Sequence, residues 1–246
     1  MMVRAQQQPA FVLHAGHYRE TSLLLEVFTR QHGRLGLVAK GARRPKSPWR
    51  GALNPFQPLL IGWAGRGELA TLTAAEPDGE PGTLAGQALY CGFYLNELLV
   101  RLLHRHDPHE ALFDRYRACL RSLAGSGAPD SALRVFEKHL LGEIGYGLVL
   151  DREAGGDAPI DPDTLYDYLP ERGPLAVAAG VAAAGVPVHG ASLKALAEER
   201  FPDARSLHEA KAVMRACLAR YLGPRPLHSR RLFQVSAAET GSDGSQ

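Results

Sequence analysis

The sequence predicts an α+β chain in two parts, a small β-barrel followed by a mostly helical region. Three observations carry that expectation. Residues 10–76 alternate short β-like runs with glycine turns; a proline- and glycine-rich break, "PDGEPG", follows at 77–82; and from Leu84 the apolar spacing becomes helical. At 246 residues with 45% hydrophobic and 22% charged residues, the chain is long enough for two folded domains.

The strand-like part begins with "AFVLHAGHY". "TSLLLEVFTRQHGRLGLVAKG" supplies two more strands around a turn at Gln31-His32-Gly33, where glycine accommodates the tip of a hairpin. "LLIGWAG" and "LATLTAAEP", separated by Gly65-Arg66-Gly67, complete five strands. So many short strands with glycine turns fit a small antiparallel barrel better than an open sandwich.

In the helical part, Leu84, Ala88, Cys91, Leu95, Leu98, Leu99 and Leu102 lie on one apolar face. Asp107-Pro108-His109-Glu110 reads as a second helix start, with Asp107 as N-cap and Pro108 at the first helical position. Asp130 is a capping candidate for a third helix, "SALRVFEKHLLGEIGYG", stopped by Gly145 and Gly147. Residues 151–190 are rich in Gly, Pro and Ala and read as irregular or hairpin-like. Helices resume at Ser192–Glu199 and Ser206–Tyr221, the latter opened by a capping box from Ser206 to Glu209. The expected organisation is therefore 1–79 barrel, 80–235 helical domain and 236–246 a disordered, small and polar tail.

Charge is the informative asymmetry. Between Val27 and Gly67 stand Arg30, Arg34, Lys40, Arg43, Arg44, Lys46, Arg50 and Arg66 without one acidic residue, although the whole chain carries only +2. About −6 is left for the remainder, which points to a cationic module beside a mildly acidic one. Two readings follow, a solvated loop or a phosphate-binding face with Trp49, in "KSPWRG", as an exposed stacking surface. Phe56 and Trp63 read as barrel core. In the helical part, Arg101, Arg105, Arg115, Arg117, Arg121, Arg134 and Lys138 read either as a solvated face or as the rim of an apolar groove suited to an acidic peptide.

Other chemistries find little support. Cys91, Cys119 and Cys217 are scattered in apolar runs with no CxxC pair, so they read as buried thiols of a cytoplasmic protein. His104, His106 and His109 are adjacent in sequence but separated by the inferred helix break, so no metal site is expected. No nucleophile elbow, Walker loop or dinucleotide fingerprint is present, and no enzyme activity or cofactor is expected. No run reaches membrane-spanning length.

The stretch from "AFVLHAGHYRETSLLLEVFTRQHGRLGLVAKGARRPKS" to "RGALNPFQPLLIGWAGRGEL" resembles the N-terminal domain of the RecO family of bacterial recombination mediators. "LYCGFYLNELLVRLL", "LRVFEKHLLGEIGYG", "SLKALAEERFPD" and "YLGPRPLHSRRLF" resemble its helical part in the same order, so the likeness covers about Ala10 to Phe233. The resemblance implies an N-terminal OB-fold, binding of single- and double-stranded DNA, and annealing of complementary strands. It also implies engagement of the tail of single-strand-binding protein, and action with RecR to load RecA without bond chemistry. On that reading Arg34, Lys40, Arg43, Arg44, Lys46, Arg50, Arg66 and Trp49 contact DNA, and Arg121, Arg134 and Lys138 contact the tail. A protein–protein adaptor in which DNA binding is incidental is the alternative. Some members carry a four-cysteine zinc site after the "GYG" helix. This chain has no cysteine between residues 151 and 190, so that module is expected without its metal.

Overall fold

A computed structural model of the chain describes residues 3–49, 51–65, 69–79, 83–125, 129–156, 158–177 and 184–229. Five strands come first: β1 (Val3–Tyr18), β2 (Ser22–Thr29), β3 (Gly33–Ala39), β4 (Leu59–Gly65) and β5 (Leu69–Pro77). They close into a barrel in the order β1-β2-β3-β5-β4. All pairings are antiparallel except β3–β5, which is parallel. A closed five-stranded barrel of this order is OB-like, as the fold expectation required.

β1 is longer than the apolar pattern suggested, because it serves both sides of the seam. Residues 3–10 pair with β4 and residues 10–18 with β2. The strand turns between these jobs through register shifts at Ala5/Gln8 and Val12/His14, with Gln7 at φ 51°. Val12, Leu25, Val27, Leu37, Ile61, Trp63 and Leu72 fill the interior, and Phe56 is buried as expected. At the register pairs Phe11↔Phe28 and Val12↔Val27, the valines face inward while the phenylalanines pack outward.

Those phenylalanines meet α2. Helices α1 (Gly86–Leu102) and α2 (Glu110–Ala124) follow the barrel. Phe11 lies 5.4 Å from Phe113 and 5.1 Å from Tyr116, and Phe28 lies 5.4 Å from Phe113. The buried Tyr116 hydroxyl donates to Asn96 Oδ1, and Asn96 Nδ2 donates to the Leu13 carbonyl at 2.9 Å. The buried polar groups of this contact are thereby satisfied. By packing, the chain divides into two compact units, Met1–Ser126 with Pro226–Gln246, and Gly127–Arg225. α1 and α2 thus group with the barrel.

The start of α2 departs from expectation. Its N-cap is His109 and no side chain caps it. Residues 105 and 106 are instead bridged to β3, with His106 N–H donating to the Arg34 carbonyl at 2.9 Å, and the Asp107 carboxylate turns to His109 at 3.4 Å. The close approach of Asp107 backbone to Gly33, where a Cβ would sit 1.9 Å from the carbonyl oxygen, shows why that turn needs glycine.

The second unit contains α3 (Pro129–Glu143), a three-stranded sheet in the order β7-β6-β8, α4 (Gly190–Glu198) and α5 (Ala204–Leu222). β6 is Leu165–Leu169, β7 Gly173–Ala176 and β8 Val186–His189. Gly145, at φ 87°, ends α3 as expected, with Tyr146 N–H returning to the Leu141 carbonyl at 2.8 Å. Asp130 does not cap; it sits in the first turn and pairs with Lys211 at 3.1 Å. α5 also starts earlier, capped by Asp203, whose carboxylate accepts the Ser206 N–H at 2.7 Å. Glu209 is drawn instead to His189, taking its backbone N–H at 2.9 Å and its ring nitrogen at 2.8 Å. Arg50, Arg66 and the tail 236–246 lie outside the described residues. Among the described residues no helix is long and apolar enough to cross a membrane.

Candidate nucleic-acid interface

The cationic candidates sit where β3 leaves the barrel. Gly41, at φ 68°, turns the chain out of the strand, and successive turns follow, with Arg44 N–H donating to Gly41 at 3.0 Å and Ser47 N–H to Arg44 at 3.0 Å. Leu53 and Phe56 bury the far end of this loop. Lys40, Arg43, Arg44 and Lys46 are all exposed. No carboxylate among the described residues is salt-bridged to any of them, so their charge is directed at solvent. Lys40 and Arg44 line an open groove of about 530 Å³ shared with Tyr18, Arg19, Ser22 and Thr71.

The loop is fastened rather than loose. Arg43 donates its backbone N–H to the Thr21 carbonyl at 2.9 Å and Nη1 to the Glu20 carbonyl at 3.1 Å. The β1–β2 turn and the β3–β4 loop are therefore held at a fixed spacing across the groove. Trp49, expected to be exposed, is instead half-buried and packs on the barrel core, where it anchors the loop.

Two arginines of the acid-free window are spent on the fold. Arg34, 14% exposed, pairs with Glu26 at 2.8 Å and donates Nε and Nη2 to the Leu103 carbonyl at 3.2 and 3.0 Å. Arg105 completes the triad by pairing with the other Glu26 oxygen. Arg30 pairs with Glu110 and, at 3.0 Å, with Asp114 of α2. Arg34 is thus corrected from a phosphate contact to a structural residue. The sequence window contained no acid, but folding brings three to it.

The tail-binding candidates fare similarly. Arg134 is 6% exposed and pairs with Glu137, 1% exposed, at 2.7 Å within α3. Lys138 reaches the end of α4, donating to the Leu196 and Ala197 carbonyls at 3.2 and 2.9 Å and pairing with Glu199 at 2.7 Å. Arg134 is thus buried within α3 rather than on a rim, while Lys138 is half-buried and engaged with α4. Arg121, near the end of α2, keeps an exposed side chain.

All three cysteines are buried, none of them in a disulfide among the described residues, and burial pushes the Cys217 thiol up to about 12. Beside Cys217 a cavity of about 150 Å³ is edged by Tyr146, 48% exposed, whose ring stacks on Tyr221 with centroids 3.9 Å apart. The sequence reading did not single out this pair. Among the described residues no group of three or more His, Cys, Asp or Glu side chains is placed to hold a metal.

Comparison with known proteins fits this architecture part by part. The family model described as recombination protein O N terminal matches residues 2–79, and that described as recombination protein O C terminal matches residues 84–231. This chain belongs to the RecO family. It is similar to a protein named DNA repair protein RecO from Dechloromonas aromatica, 50% identical over 94% of this chain and 96% of that protein. It is also similar to RecO proteins of Thiobacillus denitrificans, 49% identical over 94% and 92%, and Coxiella burnetii, 47% identical over 95% and 100%. The two RecO family matches meet where the barrel gives way to α1, so each covers one of the two parts expected from periodicity.

Proposed function

We propose that this protein is a non-catalytic DNA-binding mediator of recombinational repair, active in the cytoplasm. The observation that carries the reading is the groove of the OB-like barrel, where Lys40 and Arg44 face solvent with no carboxylate among the described residues paired to them. Each phosphate that such side chains neutralise releases a counterion, giving affinity without sequence preference. Arg43 and Lys46 extend the exposed cationic surface along the same loop. Single strands are the favoured ligand, and annealing follows if two of them are held without their bases being masked. Duplex DNA can use the phosphate contacts alone. In fluorescence anisotropy, reversing Lys40 and Arg44 to Glu should weaken binding of both single-stranded and duplex DNA at least tenfold. Unchanged affinities in that variant would refute the reading.

Family membership supports the finer partners, RecR and the acidic tail of single-strand-binding protein, with RecA loaded as the outcome. Of the three residues expected to hold the tail, Arg121 retains a free-facing position. A second reading, a protein adaptor, is favoured by the exposed Tyr146, stacked on the half-buried Tyr221 beside a cavity. A RecA-loading assay with a charge-reversed variant that keeps both partners in a pull-down separates the two roles, since an adaptor would still support loading after losing DNA and a DNA-binding mediator would not.

A further inference from the structure

The groove has one wall that the cationic loop does not supply. Tyr18 ends β1 and Arg19 opens the turn to β2, at φ 51°, a left-handed position that swings its side chain off the strand path. The Arg19 guanidinium carbon lies over the Tyr18 ring, 5.3 Å from its centroid. Both residues line the groove together with Lys40 and Arg44, and Tyr18 is half-buried without belonging to the barrel's buried core. The two hydrogen bonds from Arg43 to Thr21 and Glu20 hold this turn against the cationic loop. Glu20 itself spends its carbonyl there, and its side chain is exposed and does not line the groove.

An aromatic ring backed by a guanidinium, lining a groove with two exposed cations that no carboxylate among the described residues pairs, has a definite ligand preference. Phosphates satisfy Lys40 and Arg44 whether the strand is paired or not. The ring needs a free π-face, and only an unpaired base offers one, because both faces of a duplex base are already stacked and extrusion is costly. Building on the DNA-binding reading above, we infer that Tyr18, braced by Arg19, stacks an unpaired nucleobase and makes this groove select single-stranded over duplex DNA.

The test is anisotropy with a fluorescein-labelled thymidine oligonucleotide and a hairpin-closed duplex carrying the same number of phosphates. Tyr18→Ala should weaken single-strand binding between about fivefold and 150-fold, the range of one base–aromatic stack, and duplex binding by less than about twofold. Tyr18→Phe, which keeps the ring, should bind both as the parent does. Tyr18→Leu preserves bulk without the ring, and should reproduce the single-strand loss if the alanine variant does not fold. Single-strand affinity unchanged in Tyr18→Ala and Tyr18→Leu, or a loss equal for both ligands, overturns the inference. The Lys40→Glu/Arg44→Glu variant serves as the separate arm: if it binds both ligands like the parent, it is the cationic reading that fails, whatever Tyr18 does.

Discussion

Replacing Arg34 by alanine distinguishes a residue that holds the fold from one that holds DNA. The side chain makes an ion pair with Glu26 at 2.8 Å and two hydrogen bonds to the Leu103 carbonyl, which lies at the end of α1. Hydrogen bonds involving a charged group contribute about 1.5–3 kcal/mol each, and contacts sharing one side chain do not add fully. Glu26 retains Arg105, and both partners of the pair are slightly open to water, at 14% and 15% exposure, which reduces the penalty further. The backbone bridge from His106 to the Arg34 carbonyl survives the substitution. A loss of about 2–4 kcal/mol is expected, or roughly 5–15 °C in Tm. The chain's two tryptophans, Trp49 and Trp63, are both in or on the barrel core, so urea unfolding followed by tryptophan fluorescence reads this unit. Arg34→Lys should fall between alanine and the parent, because it keeps the charge and loses the fork. A stability loss below about 1 kcal/mol, or a reduced salt dependence of DNA binding in the alanine variant, would refute the structural assignment.

Two further perturbations test the rest of the framework. Glu97 accepts the backbone N–H groups of His228 and Ser229 at 2.8 and 2.9 Å and the Ser229 hydroxyl at 2.8 Å. Burial would raise its carboxyl, but the hydrogen bonds from Ser229 and His228 outweigh burial and hold it below its ordinary value of 4.5. A depressed carboxyl stabilises above its unfolded pKa, so hydrogen-exchange protection at residues 228 and 229 should be full near neutral pH. It should fall as pH drops from about 4.5, and Glu97→Gln should lower it near neutral pH and remove that pH dependence. Protection independent of pH in the parent protein would contradict this. The second perturbation is Arg134→Ala, which removes the buried 2.7 Å ion pair to Glu137 and should cost about 3–5 kcal/mol, read by thermal melting of helical circular dichroism. A fully stable variant would restore Arg134 as a surface residue.

Legibility followed the range of each interaction. The barrel strands were readable because alternation and glycine turns are local, and Gly145 because a helix stop is local too. The first half of β1 was hidden, since Gln6, Gln7 and Gln8 carry no apolar alternation and this half is held only by its distant partner β4, with Gln6 and Gln7 falling in a register shift. "AFVL" and "VF" did hold an unused signal: consecutive apolar residues mean both strand faces are covered, here inside by the barrel and outside by Phe113 and Tyr116. Helix starts moved because Asp107 and Asp130 found side-chain partners instead of backbone N–H groups. Charge was the least transferable. Counting positive residues could not show that Arg34 meets Glu26 or that Lys138 meets Glu199, though the i, i+3 spacing of Arg134 and Glu137 was visible. Tyr18 and Arg19 carry no such charge signal, because they precede the acid-free window and stand beside Glu20.

The central claim is that the exposed cations of the β3–β4 loop neutralise DNA phosphates. The salt dependence of single-strand affinity measures this most directly, since its logarithmic slope counts the counterions released, about 0.7 per phosphate contact. A Lys40→Glu/Arg44→Glu/Lys46→Glu variant of unchanged stability should bind more weakly and with a slope shallower by about two units. A slope identical to that of the parent would contradict the claim.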